Sequence, residues 1–123
     1  MNQLRREIRD SLRDVSPQDG GGFHARFVFS PEFIGFKGHF PENPILPGVC
    51  QVQAALVAAE AWKKTAVTLR EIVVAKFFAV AGPNEELDFL CREQEKRLIA
   101  SVRSGGKKVA ELTLRIDGKD VRP

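Results

Sequence analysis

An α+β fold, an antiparallel sheet wrapped around one buried central helix, is predicted by three features of the sequence. Residues 49–62 are apolar at 11 of 14 positions and contain neither Gly nor Pro. One alternating apolar segment precedes this run, and four strand-like segments with short links follow it. Short links join antiparallel neighbours, and a sheet with one apolar face needs a helix to cover it.

Taken in order, Leu4, Ile8, Leu12 and Val15 recur at intervals of four or three among charged residues. That spacing predicts an amphipathic helix over residues 2–14 of an N-terminal segment 1–15. Ser16-Pro17 and Gly20-Gly21-Gly22 end it and give a flexible connection. Phe23, Ala25, Phe27 and Phe29 then alternate with His24, Arg26 and Val28, the period of a strand with one buried face. Pro31, Pro41, Pro44 and Pro47 prevent long regular elements, because each lacks an amide donor and fixes its own φ. Phe33, Ile34, Phe36, Phe40, Ile45 and Leu46 make this stretch too apolar for a solvated linker, so an ordered irregular loop is expected.

The run 49–62 carries only Gln51, Gln53 and Glu60 as polar side chains, the composition of a helix covered on most sides. Pro47 and Gly48 stand at its start, where a missing donor costs little and a glycine lets backbones approach closely. Strands are expected over 71–80, 86–92, 97–103 and 108–116. Gly82-Pro83-Asn84 separates the first two, and Ser104-Gly105-Gly106 makes a hairpin turn between the last two.

Composition narrows the function. Apolar residues make up 43% and charged residues 28%, which excludes a wholly disordered, collagenous or coiled-coil chain. No apolar run reaches the roughly 18 residues needed to cross a bilayer, and the charged N-terminus is no signal-peptide core. A single cytoplasmic domain over residues 1–123, without a membrane span, is the expectation. The net charge of +3 is too small an excess to mark a nucleic-acid binder. Arg5, Arg6, Arg9 and Arg13 mix with Glu7, Asp10 and Asp14 as on a solvated helix face. With Lys37 and Lys76 they equally form a basic rim able to steer an acidic partner. Cys50 and Cys91 lie in apolar segments without CxxC or Cys/His clustering and read as reduced buried thiols, not as a disulfide, a metal site or a nucleophile.

The chemistry-bearing run is residues 38–49, GHFPENPILPGV. It places His39 in a proline-stiffened loop just before a helix start. A histidine accepts and returns a proton near neutral pH, and the stiff loop lowers the entropy lost in fixing it. The amides of Gly48 and Val49 offer unpaired donors at the positive end of a helix dipole, suited to polarising a carbonyl oxygen.

His39-Phe40-Pro41, Pro44 and Pro47-Gly48-Val49 match the HFPxxPxxPGV signature, seven positions at fixed spacing over eleven residues. On this signature the chain resembles the 3-hydroxyacyl-acyl carrier protein dehydratases, which have the hotdog fold. Lys76-Phe77, Val80-Ala81-Gly82 and Leu87 extend the resemblance, which covers residues 22–117. The run Pro47 to Gln51 also resembles accessory dehydratases of specialised lipid or aryl-polyene clusters. The resemblance implies a homodimer or higher oligomer whose sheets join, or a heterodimer with another hotdog subunit, with the active site between protomers. His39 would take the proton next to the thioester, the Gly48 N–H would hold the thioester oxygen, and Phe40, Pro47, Val49 and Phe77 would contact substrate. The substrate would be a 3-hydroxyacyl thioester on acyl carrier protein or CoA, with no cofactor and no metal.

One position departs from the pattern. The family's Glu or Asp lies fourteen residues after the histidine, and residue 53 here is Gln. An amide holds a hydroxyl by hydrogen bonds but has no titratable proton to give it. Four routes stay open: Gln53 orients the leaving group while His39 acts as both base and acid; Glu60, about 10 Å further along the helix, supplies the proton; Glu42 does so; or catalysis has been given up. The last makes the chain a non-catalytic acyl-binding subunit of a heteromeric dehydratase, and hotdog sheets also host thioesterases. Gln51 lies 200° around the helix from Gln53 and is expected to bond in the dimer or loop instead. Phe33, Phe36, Phe40, Phe77 and Phe78 are readable either as acyl-tunnel lining or as core. His24 has no motif around it and reads as a strand residue.

Overall fold

Residues 2–37 and 42–118 are described by the computed structural model. Helix α1 runs Gln3–Ser11 and is capped by Asn2, whose side chain accepts from the Arg5 N–H at 2.8 Å. The helix stops earlier than its periodicity predicts. Leu12 is already extended, and strand β1, Leu12–Pro17, pairs antiparallel with β2, Phe23–Val28, from Leu12 opposite Phe27 to Pro17 opposite Phe23. A ladder along β2 satisfies these backbone groups as a helix would, and Pro17 favours the strand. The expected burial survives the change: Ile8 is buried, and Leu4, Leu12 and Val15 pack against the core.

Beyond Gly20–Gly22, all three at positive φ, β2 buries Phe23, Ala25 and Phe27 on one face as the alternation predicts. A single 3-10 turn, Ile34–Phe36, follows, with Phe33 and Phe36 buried. Phe29 and Phe33 meet at a tilt with ring centroids 4.7 Å apart, and Phe33 and Phe36 meet edge-on at 5.6 Å, so Phe33 and Phe36 are core aromatics.

Helix α2, Gly48–Lys63, is the predicted central helix, with Cys50, Gln51, Val52 and every residue from Ala54 to Ala59 buried. Its alanines bring the backbone close to a six-stranded antiparallel sheet, formed by β1 and β2 with β3 (Val67–Phe77), β4 (Glu86–Gln94), β5 (Arg97–Ser104) and β6 (Lys107–Gly118). The strand order is β1-β2-β4-β5-β6-β3. Gly105-Gly106 makes the expected hairpin turn between β5 and β6, while Glu95 and Lys96, both at positive φ, make the β4–β5 turn without any glycine. Strand β3 begins at Val67 instead of Glu71 and ends at Phe77 instead of Val80, because β6 is long enough to pair with it from Gly118 back to Ala110. Beyond it, Leu46 N–H donates to the Ala81 carbonyl at 2.7 Å, tying the segment before α2 to the β3–β4 connection.

Candidate active site

The start of α2 is assembled by Pro47, which has an extended backbone and accepts at its carbonyl from the Cys50 and Gln51 amides at 3.0 and 3.2 Å. The Gly48 and Val49 N–H groups come before these and have no acceptor within the helix, as oxyanion binding requires. Phe77, from the end of β3, lies over this turn: a Cβ on Gly48 would stand 2.6 Å from the Phe77 ring. The glycine is therefore needed for the ring's close approach as well as for the turn. Val49 is 62% exposed and Phe77 48% exposed. Pro47, Gly48, Val49 and Phe77 thus gather at one apolar, open helix start, while His39 and Phe40 lie outside the described residues.

Gln53 sits five residues further along α2 and is half-buried, with its Oε1 accepting from Arg5 Nη1 at 3.1 Å. The same guanidinium pairs with Glu60 through Nη2 at 3.1 Å, and Arg9 reaches Glu60 at 3.3 Å. The other Glu60 oxygen accepts from the Val67 N–H at 2.9 Å. Glu60 is therefore a structural hub joining α1, α2 and β3, and both of its oxygens are taken. That removes it as a replacement acid. Glu42 is exposed. Gln51 is buried on the other side of α2, and its Oε1 finds no partner among the described residues.

These contacts correct the expectation that Arg5 belongs to a solvated or carrier-steering face. Arg5 turns inward onto α2, whereas Arg9 stays exposed while pairing with Glu60, and Arg6, Arg13, Lys37 and Lys76 are exposed as well. A signal was present in the sequence: Arg5 and Arg9 are one helical turn apart, and Glu60 is the single acid in an otherwise apolar helix. Glu7 was also missed as a functional support. Its carboxylate accepts from the Ile34 N–H at 2.9 Å and from Gln3 at 2.8 Å. The Ile34 bond, helped by Gln3, holds its carboxyl below the usual range against a small desolvation penalty. Glu7 thereby fastens α1 to the turn that leads directly into the His39 segment.

His24 is more than an isolated strand residue: its Nε2 lies 2.7 Å from Asp88 Oδ1, on the face of β2 opposite the buried phenylalanines. A groove lined by Arg9, Leu12, Val57, Glu60 and Ala66 lies about 18 Å along α2 from Gly48 and belongs to the α1–α2 junction, not to the helix start. Both cysteines are free and buried. Burial raises the Cys50 thiol and pushes Cys91 up to about 12. A thiol-reactive disulfide reagent at pH 8 is therefore expected to leave native protein unlabelled and to modify both cysteines after denaturation. Rapid labelling of the native chain would contradict the buried setting of Cys50 in the first turn of α2.

No helix among the described residues is long and apolar enough to cross a membrane. The sequence matches the ApeI-like dehydratase family over residues 15–113. The 3-hydroxyacyl-acyl-carrier-protein dehydratase FabZ of Clostridium beijerinckii is 35% identical over 63 residues, a match spanning 46% of this chain and 44% of FabZ, less than half the length of that relative. Among solved structures, the dehydratase heterocomplex ApeI:P from Xenorhabdus doucetiae superposes with a TM-score of 0.75 at 19% identity, covering 85% of this chain and 95% of the other. A mutant of the fluoroacetyl-CoA-specific thioesterase FlK superposes at 0.58 with 18% identity, covering 87% and 90%. At such identities the superpositions establish the hotdog fold, whose sheet is shared by different thioester chemistries. The family match runs from β1 through most of β6 and takes in the whole of α2, so the chain belongs to the ApeI-like dehydratases.

Proposed function

We propose that the chain acts as a (3R)-hydroxyacyl-acyl carrier protein dehydratase of fatty-acid or related acyl-chain synthesis, releasing water and a trans-2-enoyl thioester. The observation that carries this reading is the open start of α2, with the Gly48 and Val49 amides beneath Phe77 at the end of the dehydratase signature. In the proposed reaction His39 removes the proton from the carbon next to the thioester. The C–H electrons move toward the thioester oxygen, where the Gly48 N–H stabilises the developing charge. They return to form the carbon–carbon double bond as the C–O bond to the β-hydroxyl breaks. The departing hydroxide takes the proton from the His39 imidazolium and leaves as water, while Gln53 donates hydrogen bonds to that oxygen. Phe40, Pro47, Val49 and Phe77 contact the acyl chain. The thioester arrives on acyl carrier protein or CoA.

A second hotdog subunit completes this site. Strand β3 is outermost in the sheet, and Ile72 and Phe77 lie opposite the core residues Leu114 and Ala110 yet are each 48% exposed. Apolar side chains on the inner face of an unpaired edge strand call for a covering chain. A homodimer satisfies this, and so does a heterodimer. The heterodimer is the second reading, drawn from the lack of a titratable proton at Gln53; in it this chain binds acyl groups and an acid-bearing subunit does the chemistry.

Single-turnover mass spectrometry of a 3-hydroxyacyl-carrier protein separates the readings. The expected result is enoyl product from the wild type and a loss of roughly 100- to 10,000-fold in His39→Ala. Product only when an acid-bearing hotdog partner is added selects the heteromeric reading. Free carrier thiol without enoyl product overturns dehydration in favour of hydrolysis.

A further inference from the structure

Arg5 joins helix α1 to Gln53 on α2. Arg5 Nη1 donates to Gln53 Oε1 at 3.1 Å and Nη2 pairs with Glu60 at 3.1 Å, so a single guanidinium bridges two positions seven residues apart on α2. A guanidinium has donors only, so the oxygen of the Gln53 amide must face it and the NH2 group must face away. The helix carrying Arg5 is itself held at several points. Asn2 caps it, Glu7 accepts from Ile34, and Arg9 pairs with Glu60. Arg5 and Arg9 against Glu60 leave one positive charge in excess beside Gln53.

We propose that Arg5 is a positioning residue that locks residue 53 as a neutral hydrogen-bond donor and prevents that position from serving as a general acid. The inference rests on the reading of Gln53 as the side chain that faces the leaving hydroxyl, and it explains how an amide serves there. With its oxygen engaged by a cation, the amide turns its N–H groups toward the substrate and is polarised to donate more strongly. The same geometry has a second consequence. A carboxyl placed at residue 53 would meet the Arg5 charge at hydrogen-bond distance and stay ionised at neutral pH, with no proton to give. Gln53→Glu alone is therefore expected to gain less acid catalysis than Gln53→Glu together with Arg5→Met.

The decisive experiment is a carbon-13 NMR titration of the side-chain carboxyl introduced by Gln53→Glu, with Arg5 present and with Arg5→Met. The charged groups facing it among the described residues are Arg5, then Glu60 and Arg9 through the shared bridge. Loss of Arg5 is expected to raise the titration midpoint by roughly 1 to 3 pH units. Arg9→Met removes a like charge from the same helix and the same carboxylate without touching residue 53, and is expected to raise it clearly less. Equal midpoints with and without Arg5, or equal effects of the two arginines, would overturn the assignment. Arg9→Met also shows whether α1 remains docked when one Glu60 pair is lost.

Turnover gives an independent arm. In the Gln53 background Arg5→Met is expected to lower kcat roughly 10- to 100-fold with little change in KM, and Arg5→Lys to recover part of it. An equal loss in Arg5→Lys and Arg5→Met supports a requirement for the bidentate bridge itself. A wild type inert toward every 3-hydroxyacyl thioester defeats the dehydratase reading alone, because the titration still decides what Arg5 does. An active wild type whose kcat is indifferent to Arg5→Met defeats the positioning role alone.

Discussion

Replacing Phe27 with alanine is expected to lower the unfolding free energy by about 3–5 kcal/mol, the range for emptying a large aromatic site in a packed core. Phe27 is fully buried on β2, stacked on Phe29 at 5.7 Å and edge-on to Phe89 at 5.1 Å. Its strand is held on both sides, with Leu12 opposite it on β1 and Leu87 opposite it on β4. Walls fixed by two ladders collapse poorly into a void, so the cost belongs toward the upper part of the range. Urea unfolding at one protein concentration should show a lower midpoint with an unchanged slope. Phe78→Ala is the matched control. That ring is 55% exposed, with Lys108 Nζ 5.3 Å from its centre, and its removal is expected to cost less than about 1 kcal/mol. Similar losses for the two variants would mean that the sheet does not close over α2 as described.

Ile72→Asp is expected to separate the subunits while leaving each chain folded. In the single chain Ile72 is half-exposed on β3, so a carboxylate there meets water and costs the fold little. In the proposed assembly the same face is covered, and a two-fold interface buries the new charge twice. At several kcal/mol for each unpaired buried ion, the dimer should weaken by more than about 1,000-fold. Light scattering with size-exclusion chromatography should give the mass of one chain at micromolar concentration, with a circular dichroism spectrum like that of the wild type. Under the proposed function enoyl formation should fall with the dimer, because the proposed site lies between subunits. A dimeric mass retained by Ile72→Asp would place the interface elsewhere on the chain.

Much of this arrangement is legible in the sequence because it depends on burial, which neighbouring residues encode together. The central helix was expected over 49–62 and spans Gly48–Lys63, since a run that is apolar all round and free of Gly and Pro has few other places to go. The alternation of Phe23, Ala25 and Phe27 named the buried face of β2, and Gly105-Gly106 named a hairpin turn. The dehydratase signature placed Pro47, Gly48 and Val49 at the start of α2 for the same local reason: a proline before a helix and a glycine at its first position set the backbone there.

Only the tertiary structure decided where the polar and edge groups find their partners. Leu12 and Val15 keep the burial predicted by a helical stripe but adopt a strand, because β2 offers their backbone a ladder that no local pattern announces. Phe77 resembled the core phenylalanines in sequence, yet it stands on an edge strand, half-exposed over Gly48. Arg5 looked like one of several solvated arginines, and its bond to Gln53 joins residues 48 positions apart. Hydrophobic periodicity is written into a few successive residues, whereas the partner of a guanidinium, or the open edge of a sheet, is set by how distant elements pack. For this protein that division runs through one residue: the sequence shows an amide where the dehydratases that its signature resembles have an acid, and the packing of α1 on α2 sets the direction in which that amide points.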